Sequence, residues 1–353
     1  EEPVQYAQFA EWQNELLAGE DAPKGRQFWR EALADLAPII VPFEQAAEEA
    51  AGWPTEALIR DLDTEVVASL LALSKRRETP IEALVLAAWQ TVLSRVSGRR
   101  AYPMALLSDG RTYEELESGM GLFAKWVPMR CRVDPDKSFQ ELAAAVATDQ
   151  HQAREWQEYF IWDSGQDATD TATTELVGFE FETVEPLAHA SDVVFSFEPA
   201  AVRIEPLKLT LTCMKRSRSI QLRLQANAGL VHPAALPILS EALTALLTGA
   251  AAQPDASVGL LPMLSEAQRR RLLQAGLGAA HPLSDAPSLV TLFERQAAAR
   301  PETIAVVCGD CGLTYAELNA KANKIAHGLD RMGVGRGALV GLCVERSIEM
   351  VAG

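Results

Sequence analysis

The chain has 353 residues, a hydrophobic fraction of 48% and a formal net charge of −16. This length predicts two or three domains and is sufficient for a substantial core. The acidic balance argues against nucleic-acid binding, which needs a basic face, and we expect no membrane span or signal peptide from the apolar runs and the N-terminus.

Five cysteines lie at positions 131, 213, 308, 311 and 343. An odd and sparse set favours reduced thiols over a disulfide framework, and it predicts a cytoplasmic protein.

The N-terminal region carries two groups of aromatic residues. Residues 4–18 predict a helix that brings Tyr6, Phe9 and Trp12 together. A second pair follows at Phe28 and Trp29. We interpret both groups as core residues.

A mixed α/β region follows a proline-containing loop at 36–54. A strand is predicted at 57–63, and a helix begins at Thr64. The sequence Thr79–Glu82 predicts a capping box for a second helix, which ends near Gly98. This helix is apolar on most sides, so we expect it to be buried between layers.

The segment Tyr102–Arg130 is the most distinctive local pattern. It predicts an apolar strand, a polar turn at Ser108–Arg111, a charged segment and a second apolar strand.

Further elements complete the first part of the chain. They are a helix at 139–153, a mixed loop at 155–175, strands at 176–184, 193–197, 208–214 and 219–226, and a helix at 233–249. The last two strands alternate around a polar turn and predict a hairpin.

A change of composition near residue 250 predicts a domain boundary. The expected division is a first domain at 1–250, a linker at 251–287 with a short helix at 266–273, and a second domain at 288–353. In the second domain, the sequence predicts a helix at 289–300, hairpin strands at 304–307 and 311–314, a helix at 318–332 and a strand at 338–344. The chain stops inside what looks like a further helix, which suggests a longer polypeptide.

The second domain resembles the opening of an adenylation domain of a nonribosomal peptide synthetase. The resemblance covers residues 289–307 and 313–353, and LTYAEL at Leu313–Leu318 matches that family's first signature motif. It implies that the parent module uses ATP with magnesium. The family's phosphate-binding loop and amino-acid pocket lie further along, so no cofactor-binding residue is assigned here.

The first domain resembles the C-terminal, acceptor-side lobe of a condensation domain, which usually precedes adenylation in such synthetases. The resemblance is carried by YAQFAEWQ at 6–13, SDGR at 108–111, GLFAKW at 121–126 and PMR at 128–130. It implies an α/β fold like chloramphenicol acetyltransferase, with a mixed sheet covered by helices.

The family's HHxxxDG motif is absent from the sequence. Five histidines lie at positions 151, 189, 232, 281 and 327, and no two are adjacent. No catalytic residue is therefore assigned, and the motif would belong to a missing N-terminal lobe.

The resemblance implies amide formation as the parent reaction. The amine of a carrier-bound aminoacyl thioester attacks an acyl or peptidyl thioester, and phosphopantetheine arms on carrier domains deliver both. The implied partners are carrier domains, the missing lobe and the rest of the adenylation domain, without nucleic acid or membrane. We expect this chain alone to be inactive and to bind no cofactor itself.

The resemblance also suggests site residues in the polar turn. Arg111 is expected to act as a latch that faces a carboxylate of the other lobe, and Asp109 and Ser108 are candidates to line the tunnel. Lys125 and Trp126 replace the family's Asn-Thr and are further candidates. The alternative is that Arg111 is only a turn residue.

Two patterns suggest metal sites, but we interpret neither of them as a set of metal ligands. Cys308 and Cys311 have zinc-ligand spacing but no matching second pair. Asp163, Asp167 and Asp170 lack the glycine and closing glutamate of a calcium loop, which favours a solvated loop. No metal site is predicted.

Two other functions stay open. The lobe could be a non-catalytic platform that positions the adenylation domain or recruits a partner acting in trans, and Lys125-Trp126 favours this view. An independent acyltransferase of the same fold is the other alternative, and the adenylation-like segment argues against it.

Overall fold

A computed structural model describes residues 4–45, 55–162, 176–184, 188–190, 193–195, 207–278, 288–335 and 337–353. The chain divides into two compact units, Glu1–Leu273 and Gln274–Gly353.

The first unit combines helices and strands throughout its length. In chain order the elements are α1 (Tyr6–Ala18), α2 (Ala22–Leu33), β1 (Thr55–Asp61), α3 (Thr64–Arg77), α4 (Ile81–Ser97), β2 (Ala101–Ser108), β3 (Lys125–Arg132), α5 (Phe139–Glu155), β4 (Val177–Thr183), β5 (Ala188–Ala190), β6 (Val193–Phe195), β7 (Leu209–Arg216), β8 (Ser219–Asn227), α6 (Ala235–Ala252) and α7 (Glu266–Gly276), which runs into the second unit. Short 3₁₀ turns occupy Glu114–Leu116 and Gln157–Tyr159.

A six-stranded mixed sheet organises this unit, with strand order β1-β8-β7-β4-β2-β3. The β7–β4 and β4–β2 pairs are parallel, and the other pairs are antiparallel. Leu106, Phe179, Leu211 and Leu224 lie opposite one another on successive strands. Because alternate strand residues point to opposite faces, this register places one apolar row on one face of the sheet.

Helix α4 lies at the centre of the core, as its sequence predicts. Every residue from Ala83 to Ser94 is buried, and the helix contacts α3, α5 and α6. The buried Tyr102 hydroxyl donates to the Gln90 carbonyl at 2.8 Å, which ties the helix to β2.

The capping box predicted at Thr79–Glu82 is wrong. Helix α4 begins at Ile81 with Pro80 as its cap, and proline has no N–H for a glutamate to reach back to. The Glu82 carboxylate instead accepts hydrogen bonds from Gln150 at 2.9 Å and Arg154 at 2.5 Å. It therefore connects α4 to α5.

Helix α6 is long and apolar enough to cross a membrane, with a mean hydropathy of 1.5 over 18 residues. Leu239, Leu243 and Leu246 on this helix are buried in the core of the first unit. Its apolar character is therefore used in packing against the sheet and the other helices.

The segment after α6 also packs on the first unit. Val258 and Leu261 lie in its core, and the Val258 N–H donates to the Lys137 carbonyl at 2.9 Å. The predicted linker at 251–287 therefore begins with packed residues, whereas 279–287 lie outside the described residues. The predicted domain limits stay a prediction.

The second unit contains α8 (Leu289–Ala299), β9 (Ile304–Cys308), β10 (Cys311–Thr314), α9 (Tyr315–Arg331) and α10 (Ile348–Ala352). The predicted hairpin is present, with Cys308 opposite Cys311. Helix α9 begins with a capping box between Thr314 and Glu317.

The strand predicted at 338–344 is wrong. These residues have no regular structure, and no described strand pairs with them. Leu339, Val340, Leu342 and Val344 are exposed. An apolar run alone does not form a strand without a hydrogen-bonding neighbour.

Candidate functional site

The polar turn after β2 is fixed by a close backbone approach. Gly110 has a φ of +74°, and a Cβ atom there would lie 2.0 Å from the carbonyl oxygen of Phe123. Only glycine fits this position without movement of the loop. The turn is thereby held against the segment that leads into β3.

Arg111 is held by groups of its own loop. Its Nη1 lies 2.7 Å from Asp109 Oδ1, and its guanidinium carbon lies 4.8 Å from the centre of the Phe123 ring. The Arg111 side chain is 28% exposed and that of Asp109 is 71% exposed. The structure thus brings two of the predicted site residues together, with Asp109 as the present partner of Arg111.

An aromatic cluster packs α1 on this loop. The Phe9 and Phe123 ring centres lie 4.9 Å apart and those of Tyr6 and Phe123 lie 5.5 Å apart. A Cβ atom at Gly121 would lie 2.4 Å from the Tyr6 ring. Two segments that are distant in sequence, 6–13 and 121–126, therefore meet beside Arg111.

Lys125, at the start of β3, forms an ion pair that the sequence patterns did not indicate. Its Nζ lies 3.0 Å from Glu158 Oε2, and the two side chains are 22% and 6% exposed. Gln13 of α1 also donates to this oxygen, at 3.2 Å. The other oxygen, Oε1, is buried and has no hydrogen-bond partner within the described part of the chain.

Burial lowers the pKa of Lys125, and the attraction of Glu158 partly offsets this effect. The sequence signal for Glu158 was weak, because it is one acid within an aromatic segment. The one available signal for Glu158 is indirect: a lysine at the start of an apolar strand calls for a carboxylate partner.

Ser108 lies beneath the turn and is buried. Its hydroxyl donates to Gln157 Oε1 at 2.5 Å, and Gln157 Nε2 donates to the Thr112 hydroxyl at 2.5 Å. This chain of hydrogen bonds connects the end of β2 to the 3₁₀ turn that carries Glu158.

Trp126 lies on the sheet face opposite the apolar row. Its ring packs on Gly178, where a Cβ atom would lie 3.1 Å from two of the ring carbons. Its carbonyl accepts a hydrogen bond from the Trp162 indole N–H at 2.8 Å. Lys125 and Trp126 are neighbours in sequence, but each has its own set of contacts.

The described histidines lie apart from this cluster. His151 is exposed on α5, His232 accepts a hydrogen bond from the Ala234 N–H at 3.2 Å, and His327 lies on α9. The side chains of His189 and His281 lie outside the described residues.

Within the described residues, the structure brings no additional metal-ligating side chains to the candidate metal patterns. Cys308 and Cys311 are exposed thiols, and within the described ranges no three His, Cys, Asp or Glu side chains are grouped as a metal site requires. Asp163, Asp167 and Asp170 lie outside the described residues.

Two protein-family models match this chain. The family model of the condensation domain matches residues 1–273. The chain belongs to the condensation domain family. A second model, that of AMP-binding enzymes, matches residues 293–353, so the condensation part is followed by the start of an adenylation domain.

The curated relatives of this condensation–adenylation chain are peptide synthetases. A linear gramicidin synthase protein from Brevibacillus parabrevis is 30% identical over 368 residues, which cover 99% of this chain and 7% of that protein. The chain therefore spans a small part of the relatives it matches. This stretch corresponds to a condensation domain and the start of an adenylation domain in nonribosomal peptide synthetases.

Solved structures confirm the expected α/β fold of the condensation lobe. A nonribosomal peptide synthetase in its AMPPNP-bound form matches with a TM-score of 0.66 at 21% identity, over 99% of this chain and 38% of that one. The X-domain from teicoplanin biosynthesis, in complex with OxyB, matches with a TM-score of 0.62 at 21% identity, over 74% of this chain and 61% of that one.

Proposed function

We propose that the first unit is the acceptor-side lobe of an amide-forming condensation domain and supplies one wall of its site. The observation that carries this proposal is the meeting of segments 6–13 and 121–126 around the turn that holds Arg111. A cation fixed on a preorganised loop is suited to a carboxylate on a facing lobe.

The proposed reaction joins two carrier-bound thioesters. The amine of the aminoacyl thioester attacks the carbonyl carbon of the acyl or peptidyl thioester. A C–N bond forms, the C–S bond breaks, and the thiol of the donor's phosphopantetheine arm leaves while the amine loses a proton. Carrier domains are the proposed partners, and ATP with magnesium would act in the completed adenylation domain.

We propose that this chain alone does not catalyse the reaction and itself binds no cofactor. General acid–base catalysis needs a titratable group positioned at the reacting atoms. Four titratable groups of this cluster are already engaged in pairs: Asp109 pairs with Arg111, and Lys125 pairs with Glu158. The histidine motif would come from a companion N-terminal lobe.

Arg111 is proposed to exchange its partner when that lobe binds. Asp109 is largely exposed, so releasing it into water costs little. The Phe123 ring keeps the guanidinium oriented during such an exchange. A carboxylate of the companion lobe could then replace Asp109.

A platform is the second candidate function, and two observations favour it. Lys125, which by the family resemblance stands where Asn is usual, pairs with the buried Glu158. The similar X-domain was solved in complex with OxyB, which by likeness suggests that such a lobe can hold a partner protein.

One assay separates these functions. Two loaded carriers are incubated with the chain alone and with the chain plus a separately produced N-terminal lobe that carries HHxxxDG, and an intact condensation domain serves as the positive control. We expect amide product only with the added lobe. Product from the chain alone would overturn the proposed inactivity, and binding of the lobe without product would favour the platform.

A variant pair tests the latch in the same assay. Arg111→Ala should lower product formation by at least about tenfold, since a charge-assisted hydrogen bond contributes ~1.5–3 kcal/mol. Arg76→Ala, at an exposed position in the last turn of α3, is the matched control. Equal rates for the two variants would mean that Arg111 is only a turn residue.

A further inference from the structure

A pocket of about 290 Å³ lies between α2, β3 and α5. None of Arg111, Lys125 and Glu158 lines it. The proposed condensation function therefore leaves this pocket without a role.

One wall of the pocket is aromatic and aliphatic. It includes Phe28, Trp29 and Met129. The Phe28 ring stacks on Trp156 with centres 5.2 Å apart, and the Trp29 indole N–H already donates to the Trp156 carbonyl at 3.0 Å. This wall therefore offers apolar and π surface, with the indole donor of Trp29 already used.

The basic group in the lining is already occupied. Arg130 donates to the carbonyls of Ala32 at 2.8 Å and Ala34 at 2.7 Å, with Glu31 at 3.4 Å. These carbonyls lie at the C-terminal end of α2, where the helix leaves its last acceptors unsatisfied. Arg130 thus serves as a cap for α2.

One acidic group of the lining has no partner among the described residues. Asp149 of α5 is partly buried, and no hydrogen bond or ion pair within 4 Å is found for its carboxylate among the described residues. Burial raises its pKa, and the charges of Arg132 and Arg130 act in the opposite direction. The second acid of the lining, Glu31, accepts a hydrogen bond from Gln27 at 2.8 Å.

We propose that this pocket binds the primary ammonium group of a small molecule with an apolar body. The ammonium would donate to Asp149, and the body would lie against Phe28 and Trp29. An ammonium ion supplies the donor that Asp149 lacks, and the aromatic rings offer apolar surface to the body of the ligand. The volume lies at the lower limit for ligand pockets, about 300–1,000 Å³, which indicates a ligand smaller than most drugs.

Three probes of one shape test the proposal on the whole chain: phenethylamine, 2-phenylethanol and 3-phenylpropionate. Binding is measured by titration calorimetry at neutral pH. We expect the cation to bind about tenfold more tightly than the neutral alcohol, as one charge-assisted hydrogen bond would give. The anion should bind most weakly of the three.

Two variants locate the effect. Asp149→Asn should remove the preference for the cation, and Glu155→Gln, at an exposed acid on the same helix, should retain it. Near-ultraviolet circular dichroism checks that each variant is folded.

Several outcomes would overturn the proposal. They are equal binding of the three probes, strongest binding of the anion, an unchanged cation preference in Asp149→Asn, or no binding of phenethylamine up to about 10 mM, an affinity of only ~3 kcal/mol. Should the Asp149 variant fail to fold, the comparison of probes on the unaltered chain still decides. None of these outcomes depends on condensation activity.

Discussion

At the scale of single residues, the ion pair of Lys125 and Glu158 places opposite charges in a largely buried position. A buried carboxylate that keeps its partner is tolerated, whereas one that loses it is left as an uncompensated charge. Glu158 is the more buried of the two, with 6% of its side chain exposed. The identity of residue 125 therefore depends on a residue 33 positions away.

Lys125→Met should destabilise the first unit by about 3–5 kcal/mol, because it leaves Glu158 charged and buried without its cation. The double variant Lys125→Met, Glu158→Gln should recover most of this loss. Urea unfolding followed by tryptophan fluorescence measures the effect, since all seven tryptophans lie at or before residue 162, within the first unit.

Lys137→Met is the control for this cycle, because Lys137 pairs with Glu141 at 3.3 Å on the surface and exposed pairs contribute little. An equal loss in Lys125→Met and Lys137→Met would contradict the role of burial. So would a double variant no more stable than Lys125→Met.

At the scale of elements, periodicity predicted the helices and the hairpins because the apolar spacing of α4, β7 and β8 is unambiguous. Local patterns failed where the outcome depends on a distant neighbour. Glu82 bonds to α5 rather than to its own helix start, and residues 338–344 have no described strand beside them.

The site shows the same limit at closer range. The sequence places Arg111 and Asp109 in one turn, and the structure pairs them. Glu158 joins the cluster only through tertiary packing, so no local pattern indicates it.

Two glycines with nearly equal backbone angles allow a test of the turn. Gly98 and Gly110 have φ values of +72° and +74°, but a Cβ atom meets nothing within 4 Å at Gly98 and lies 2.0 Å from the Phe123 carbonyl oxygen at Gly110. Gly98→Ala should cost roughly 1–2 kcal/mol from the left-handed conformation alone.

Gly110→Ala should cost clearly more, because the backbone must also move away from Phe123. The two variants are compared by urea unfolding with tryptophan fluorescence. Equal losses would show that the contact with Phe123 relaxes freely, and that the turn does not fix Arg111.

At the scale of the whole molecule, the two units differ in how completely they cover apolar surface. The first unit has a continuous core that extends across the sheet and five helices, α2 to α6. In the second unit, the segment 338–344 leaves Leu339, Val340 and Leu342 exposed. Contiguous exposed apolar residues promote association.

The double variant in which lysine replaces both Leu339 and Val340 should bind less hydrophobic dye and aggregate more slowly. The tryptophan-monitored unfolding of the first unit should not change, since both positions lie in the second unit. Fluorescence of an added hydrophobic dye and light scattering measure the two effects.

Leu260→Lys is the comparison, because this leucine is also exposed but lies in the first unit. We expect it to change dye binding much less. A similar decrease in both variants would mean that dye binding and association are not specific to the exposed segment 338–344.

Helix α4 has one last consequence, for how this lobe can vary over evolutionary time. A helix with an outward face can drift there one residue at a time, but from Ala83 to Ser94 this helix has no such face. Any change of volume in it must be matched by changes in the surrounding layers. Divergence in α4 should therefore occur in concert with the helices and strands that enclose it.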